Sequence, residues 1–153
     1  MQSGYVIGID AGGTKVAYGL FNPAGERIDR DQHPTDVCAT GESFSDTLVE
    51  HIRAMLLRNH MQDSDLDGIG ICMPSFILFD EGVVLMTSAM PGIKQFPMRD
   101  YLSKRLNTRI VLDNDSNAAA LAEYRRGAGR GSRHLVYITA GTGLGSGILI
   151  DGK

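Results

Sequence analysis

Three stretches of this 153-residue chain carry groups suited to handling phosphate and an alcohol. Asp10-Ala11-Gly12-Gly13-Thr14-Lys15 lies near one end. Gly141-Thr142-Gly143-Leu144-Gly145-Ser146-Gly147 lies near the other, and Asn114-Asp115-Ser116-Asn117 falls between them. Gly12 and Gly13 leave backbone N–H groups open to an anion, with no side chain in the way. Thr14 adds a hydroxyl donor and Lys15 a positive charge. Asp10 ends an apolar run, where a carboxylate can hold hydrated Mg²⁺ beside phosphates. This is not a Walker A loop, because the G-x-x-x-x-G-K spacing and the helix after it are absent. Four glycines in the seven residues from Gly141 exceed what a hairpin turn requires. Thr142 can offer its hydroxyl to a terminal phosphate. Either loop alone reads equally as a tight turn or a flexible hairpin. Two in one chain point to a nucleotide.

Asp115 is the candidate for acid–base work. It falls where a strand hands over to a helix, at the sheet edge where ligand crevices form. The helix N-terminus favours its ionised form. A carboxylate there can take a proton from a substrate hydroxyl and orient it for in-line attack. Phosphoryl transfer asks mainly for that positioning and for charge stabilisation. Asn114 can bond a second hydroxyl. The plainer alternative is that Asn114 or Asp115 only caps the helix. Pro74 and Ser75 can line the cleft, although Pro after a strand is also an ordinary stop signal. Asp113 reads as a strand-end surface charge. His33, His51, His60 and His134 have no metal-ligand spacing, and none is assigned a role. Arg125, Arg126, Arg130 and Arg133 read as a solvated hinge.

These groups need a frame. The pattern predicts strands over Tyr5–Ile9, Val16–Phe21 and Glu26–Asp31, with Asn22-Pro23-Ala24-Gly25 as a turn. Phe44, Leu48, Ile52, Met55 and Leu56 fall at helical spacing and predict an amphipathic helix over 42–59. Leu66–Met73 is a strand stopped by Pro74. Residues 75–96 read as irregular, with one short strand at Val83–Met86. Pro97 opens a helix to about Leu106. Arg109–Leu112 is a strand, Ser116–Arg126 a helix, and 127–132 a Gly/Arg linker. Leu135–Ala140 and Ser146–Ile150 form a second hairpin, repeating the device that opens the chain. Three meandering strands followed by alternating helices and strands give a mixed sheet with helices on both faces.

Bulk properties are those of an ordinary globular protein, at 42% hydrophobic and 22% charged residues. A net charge of −3 argues against a broad nucleic-acid footprint. Cys38 and Cys72 form neither a disulfide framework nor a metal site by spacing. No signal-like leader or membrane-length apolar run is present, so a cytoplasmic location is expected.

At these residues the chain resembles the ROK family of repressors, open reading frames and sugar kinases, over nearly its whole length. Ile7-Gly8-Ile9-Asp10-Ala11-Gly12-Gly13-Thr14-Lys15 is similar to the family's first phosphate motif. The run from Asn114 to Glu123 resembles its catalytic segment. Gly127–Gly131 with Gly141–Gly147 resembles its linker and second phosphate motif. The resemblance implies an α/β, actin-like ATPase or ribonuclease-H-like fold. Residues 1–130 would form the N-terminal ATPase domain, and 131–153 the first hairpin of a second, truncated one. It also implies ATP and Mg²⁺ as cofactors and a hexose-type sugar phosphorylated at a primary hydroxyl. Asp115 would be the catalytic base. Asn114, Asp115, Pro74 and Ser75 would face the sugar. Asp10 would serve the metal, with Gly12, Gly13, Thr14, Lys15, Gly141, Thr142, Gly143 and Gly145 around the nucleotide. Two departures stand out: Ser75 where the family often has Gly, and Ala89 where it often has a sugar-contacting Asn. The family's remaining sugar ligands and its zinc cluster lie further along than this chain extends. A truncated chain is expected to be inactive and to form a homodimer. The alternative is the sugar-sensing domain of a repressor, which needs a DNA-binding segment ahead of the first strand.

Overall fold

The computed structural model describes residues 4–141 and 143–153. Three strands meander first: β1 (Tyr5–Ala11), β2 (Lys15–Phe21) and β3 (Arg27–Pro34). After helix α1 (Gly41–Arg58), β4 (Leu66–Met73) lies parallel to β1. Next come a small antiparallel sheet, β5 (Ser75–Leu78), β6 (Val83–Thr87) and β7 (Lys94–Phe96), and the short helix α2 (Met98–Ser103). Strand β8 (Ile110–Asn114) then completes a five-stranded sheet of order β3-β2-β1-β4-β8. Helix α3 (Asp115–Arg126) follows without a break, and β9 (His134–Ala140) and β10 (Leu144–Ile150) form a separate hairpin.

Strand alternation decides where the core lies. Ile7, Ile9 and Ala11 of β1, Val16, Tyr18 and Leu20 of β2, Ile69, Ile71 and Met73 of β4, and Ile110 and Leu112 of β8 are buried on one face. The α1 stripe of Phe44, Leu48, Ile52, Met55 and Leu56 joins that core, as do Met98 and Leu102 of α2. Helix α1 begins on a capping box, in which Thr40 Oγ1 accepts from Ser43 N–H and Ser43 Oγ accepts from Thr40 N–H. The start of α3 lies on the opposite face, where Asn117 Nδ2 donates to Asp113 Oδ1 at 3.0 Å. Helices on both faces, as the order of elements implied, are thus present.

The sheet register lays out the site. Asp10 pairs with Ala17 on one side and Cys72 on the other, and Cys72 pairs with Asp113. Asp10, Cys72 and Asp113 therefore stand in one row across three parallel strands, near their C-terminal ends.

The segment from Ser75 to Phe96 is more ordered than its sequence suggested. Thr87 is buried, and its hydroxyl donates to the Pro74 carbonyl at 2.8 Å. That bond closes the β5–β6 hairpin against the end of β4. Helix α2 is shorter than expected at six residues, although Leu106 N–H still donates to Leu102 O. In the last hairpin, Gly147 and Leu149 are buried towards α3, whereas Val136, Ile138, Leu144, Ile148 and Ile150 are exposed. Among the described residues, no helix is long and apolar enough to cross a membrane.

Candidate functional site

The first glycine loop is a tight link between β1 and β2. Gly12 N–H donates to Lys15 O at 3.0 Å, and Thr35, just beyond β3, grips the loop twice. Thr35 N–H donates to Thr14 O at 3.0 Å, and Thr35 Oγ1 to Gly12 O at 2.7 Å. Neither Gly12 nor Gly13 has a positive φ, so turn geometry alone does not demand glycine here. A methyl group at Gly13 would come no closer than 3.5 Å to the protein, at Ala89. The open space above Gly13 is of the kind a phosphate group fills.

The second loop divides into two parts. Gly141 N–H donates to Gly143 O at 2.9 Å, and a methyl group on either residue would meet no protein atom within 4 Å. Thr142 lies outside the described residues. Gly145 differs, since a methyl there would sit 2.2 Å from Ser116 Oγ. One at Gly147 would sit 2.5 Å from Ala120 Cβ. These two glycines let β10 lie directly on α3, which holds the second loop beside Asp115. Their packing role is independent of any nucleotide.

Asn114 caps α3. Its Oδ1 accepts from Ser116 N–H at 2.8 Å and Asn117 N–H at 3.3 Å, and its Nδ2 donates to the Ser75 carbonyl at 3.1 Å. The plainer alternative for Asn114 therefore holds, and the same side chain ties β5 to the helix start. Ser75 turns its own hydroxyl to Met73 O at 3.1 Å, and half-buried Pro74 is held through its carbonyl by Thr87. Asp115 is half-buried in the first turn of α3, with Oδ1 accepting from Ser116 N–H at 2.8 Å. Its other oxygen is the one left to reach a substrate.

Charge concentrates at this edge. Asp10 is held above the usual carboxylate range, first by burial and then by the nearby Asp115, partly offset by Lys15 and the Cys72 thiol. Burial, then Asp10 and Asp115, push the Cys72 thiol up to about 12. Asp113 is not a free surface charge, because its Oδ1 accepts from Asn114 N–H at 2.7 Å and from Asn117. It fixes the strand-to-helix junction, a role that its sequence position alone did not reveal.

Two crowded carboxylates with a lysine nearby and open backbone loops on either side fit a metal–nucleotide. No cluster of three or more metal-binding side chains occurs among the described residues. A single aspartate completing its shell with water and phosphate oxygens is how Mg²⁺ is commonly held. Two open recesses, of 320 and 510 Å³, are lined by other residues: Phe79, Arg99 and β8 in one, Arg53, Met61 and Asn107 in the other. The candidate site is an open sheet edge.

The ROK family profile matches residues 6–153. A glucokinase from Halalkalibacterium halodurans is 34% identical over the whole of this chain, which covers 46% of that protein. Among solved structures, a ROK hexokinase from Thermus thermophilus superimposes with a TM-score of 0.82 at 32% identity. That match covers 97% of this chain and 48% of the hexokinase. A ROK family glucokinase from Streptomyces griseus, solved with glucose and AMPPNP, gives 0.76 at 34% identity, covering 98% of this chain and 46% of its own. The chain thus spans about half the length of the relatives it matches, and its mixed sheet is that of ROK kinases with the actin-like ATPase fold.

Proposed function

We propose that this chain, which belongs to the ROK family, is the N-terminal portion of an ATP-dependent hexose kinase that phosphorylates a primary hydroxyl. Residues 1–130 form its first lobe, and 131–153 begin a second. The observation that carries this reading is the meeting of Asp10 and Asp115 at one sheet edge, close enough for Asp115 to disfavour the charge on Asp10, with a glycine loop on either side.

Asp115 accepts the proton of the sugar hydroxyl as that oxygen attacks the terminal phosphorus. The proton passes to the carboxylate, the O–P bond forms, and the bond to the departing nucleoside diphosphate breaks. Asn114, already bonded to Ser75 and to the first turn of α3, keeps Asp115 in register with the sugar. Gly12, Gly13 and Thr14 present backbone and hydroxyl donors to the phosphates, with Lys15 supplying positive charge. Gly141 and Gly143 approach them from the other side, Gly145 seats that loop on α3, and Thr142, outside the described residues, would add a hydroxyl. When Mg²⁺ is bound, it neutralises phosphate charge, and Asp10 is the residue that would hold it through water. Ala89, beside Gly13, brings no hydrogen bond to the sugar, so polar groups elsewhere choose among hexoses.

The test is sugar-dependent ADP release with Mg-ATP over a hexose panel, using a protein extended to the length of the relatives. Release should occur with at least one hexose and should fall by about 10²–10⁴-fold in Asp115→Asn, the usual weight of a general base. Sugar binding without release would overturn the kinase reading in favour of a sugar-sensing repressor domain. The 153-residue chain alone is expected to turn over little, because a kinase cleft closes from two sides.

A further inference from the structure

The side chains behind the first glycine loop form a group that no phosphate-transfer role requires. His33 on β3 and His51 on α1 stack with ring centroids 4.2 Å apart, and Tyr18 on β2 stacks on His51 at 5.4 Å. His33 Nδ1 lies 2.8 Å from the Pro34 carbonyl, which can only accept, so Nδ1 carries the proton. His33 Nε2 then accepts from the Tyr18 hydroxyl at 2.9 Å, which needs a neutral ring. His51 Nδ1 donates to Asp31 Oδ2 at 3.0 Å. The charged groups facing the pair are Asp29 and Asp31 from β3 and Arg58 from α1. Arg58 Nε bonds Asp29 at 2.6 Å, and its Nη1 lies 3.7 Å from Asp31. Tyr18 is the titratable group from β2, and it is buried.

This group continues directly into the loop. His33 holds the Pro34 carbonyl, and the next residue, Thr35, makes the two bonds to Thr14 O and Gly12 O. Pro34 itself pairs with Lys15 across β2–β3. We propose that His33 and Thr35 are positioning residues for the Gly12–Thr14 loop, and that protonation of His33 loosens that loop. A proton on Nε2 turns that nitrogen from acceptor to donor, so the Tyr18 hydroxyl must reverse its bond and find another acceptor for its own proton. It also sets a cation face to face with His51, whose proton is already committed to Asp31. The strain falls on the His33–Pro34–Thr35 strap, which links onward to the loop and to β2. Acidification that protonates His33 therefore changes the loop while the sheet beneath it stays intact. The structural coupling does not depend on what the loop binds; its consequence for nucleotide affinity rests on the kinase reading above.

The experiment is an NMR pH titration of the 153-residue chain, following the His33 and His51 ring protons and the backbone amides of Gly12, Gly13 and Thr14. The loop amides should shift with the same midpoint as the His33 ring. Two variants separate the strap from a general effect of pH. In His33→Gln those loop shifts should vanish. In Thr35→Val the His33 ring should still titrate while the loop amides no longer follow it. Should His33→Gln fail to fold, Thr35→Val with the wild type decides the matter. Loop amides that stay flat while the His33 ring titrates, or that keep the same titration in either variant, would overturn the proposal. Loss of nucleotide binding at every pH with the loop titration intact would count against the kinase reading and leave the strap standing.

Discussion

Asp10, the residue proposed to serve the metal, works against the unliganded fold. Its carboxyl sits above the usual range because burial and Asp115 both disfavour its charge. For such a group the stabilising contribution is complete below the unfolded value, ~3.9, and is lost as pH rises through the higher folded value. Asp10→Asn is therefore expected to raise the melting temperature by about 2–4 °C at neutral pH and to change nothing in strong acid. Calorimetry at the two extremes reads this directly, and an equal or lower neutral Tm in the variant would refute it. The same variant should lose Mg²⁺-dependent nucleotide binding in the longer protein. Cys72 shares this environment, with its thiol pushed up to about 12 by burial and the carboxylates around it. Cys38 is exposed. Iodoacetamide near pH 8 should modify Cys38 at least ~100-fold faster than Cys72, because only the thiolate reacts. Mass spectrometry of the two cysteine peptides decides it, and comparable rates would mean that Cys72 is not so enclosed.

At the level of elements, the contact between α3 and β10 positions the second glycine loop, and it depends on small residues. Gly147→Ala drives a methyl into Ala120 and the Ser116 carbonyl, where the nearest approaches are 2.5 and 2.7 Å. Overpacking of this kind costs about 1–3 kcal/mol. Hydrogen exchange should quicken in β9 and β10 while β1 and β4 keep their protection, and uniform loss of protection would show that the two parts unfold together. This contact was only partly legible in the sequence. The glycine run marks an unusual loop, but it cannot say which glycines face a ligand and which face a helix. Gly141 and Gly143 point to open space, whereas Gly145 and Gly147 are packed on α3. Long periodic segments were legible for a physical reason: α1 buries every residue of its predicted stripe, and β4 keeps its bounds because Pro74 cannot continue the ladder. Strands β5 and β7 escaped notice because four- and three-residue strands leave too few alternations to count. They are held by tertiary bonds such as Thr87 to Pro74 O. At the site, Asp10 and Asp115 were legible as strand-end carboxylates. Asp113 was not, because its function is to bond Asn114 and Asn117 across a junction. The histidines were invisible as a group, since residues 33 and 51 meet only when α1 packs on β3.

Across the whole molecule, one surface is out of keeping with an isolated chain. The hairpin β9–β10 covers α3 with one face and leaves the other uncovered. Val136 and Ile148, paired across the strands, are each 62% exposed, and Leu144 is 81% exposed. Ile138 and Ile150 extend the same face. Contiguous apolar surface of this kind marks a contact site, and burying one such side chain is worth about 1.5–3 kcal/mol. In the kinase reading, the remainder of a longer protein covers it, completing the second lobe. In the 153-residue chain alone, the occupant to expect is a second copy, since the hairpin also ends in unpaired strand edges. Sedimentation velocity should then show a concentration-dependent dimer. Val136→Lys with Ile148→Lys should shift it to monomer without disturbing the five-stranded sheet, because both side chains point away from α3. On that reading the face would be internal in a protein extended to the relatives' length, so the same pair of substitutions should destabilise folding instead of changing the oligomer. A 153-residue chain that stays monomeric at high concentration would rule out this face as a self-association surface. A longer protein that tolerates both lysines would rule it out as the core of the second lobe.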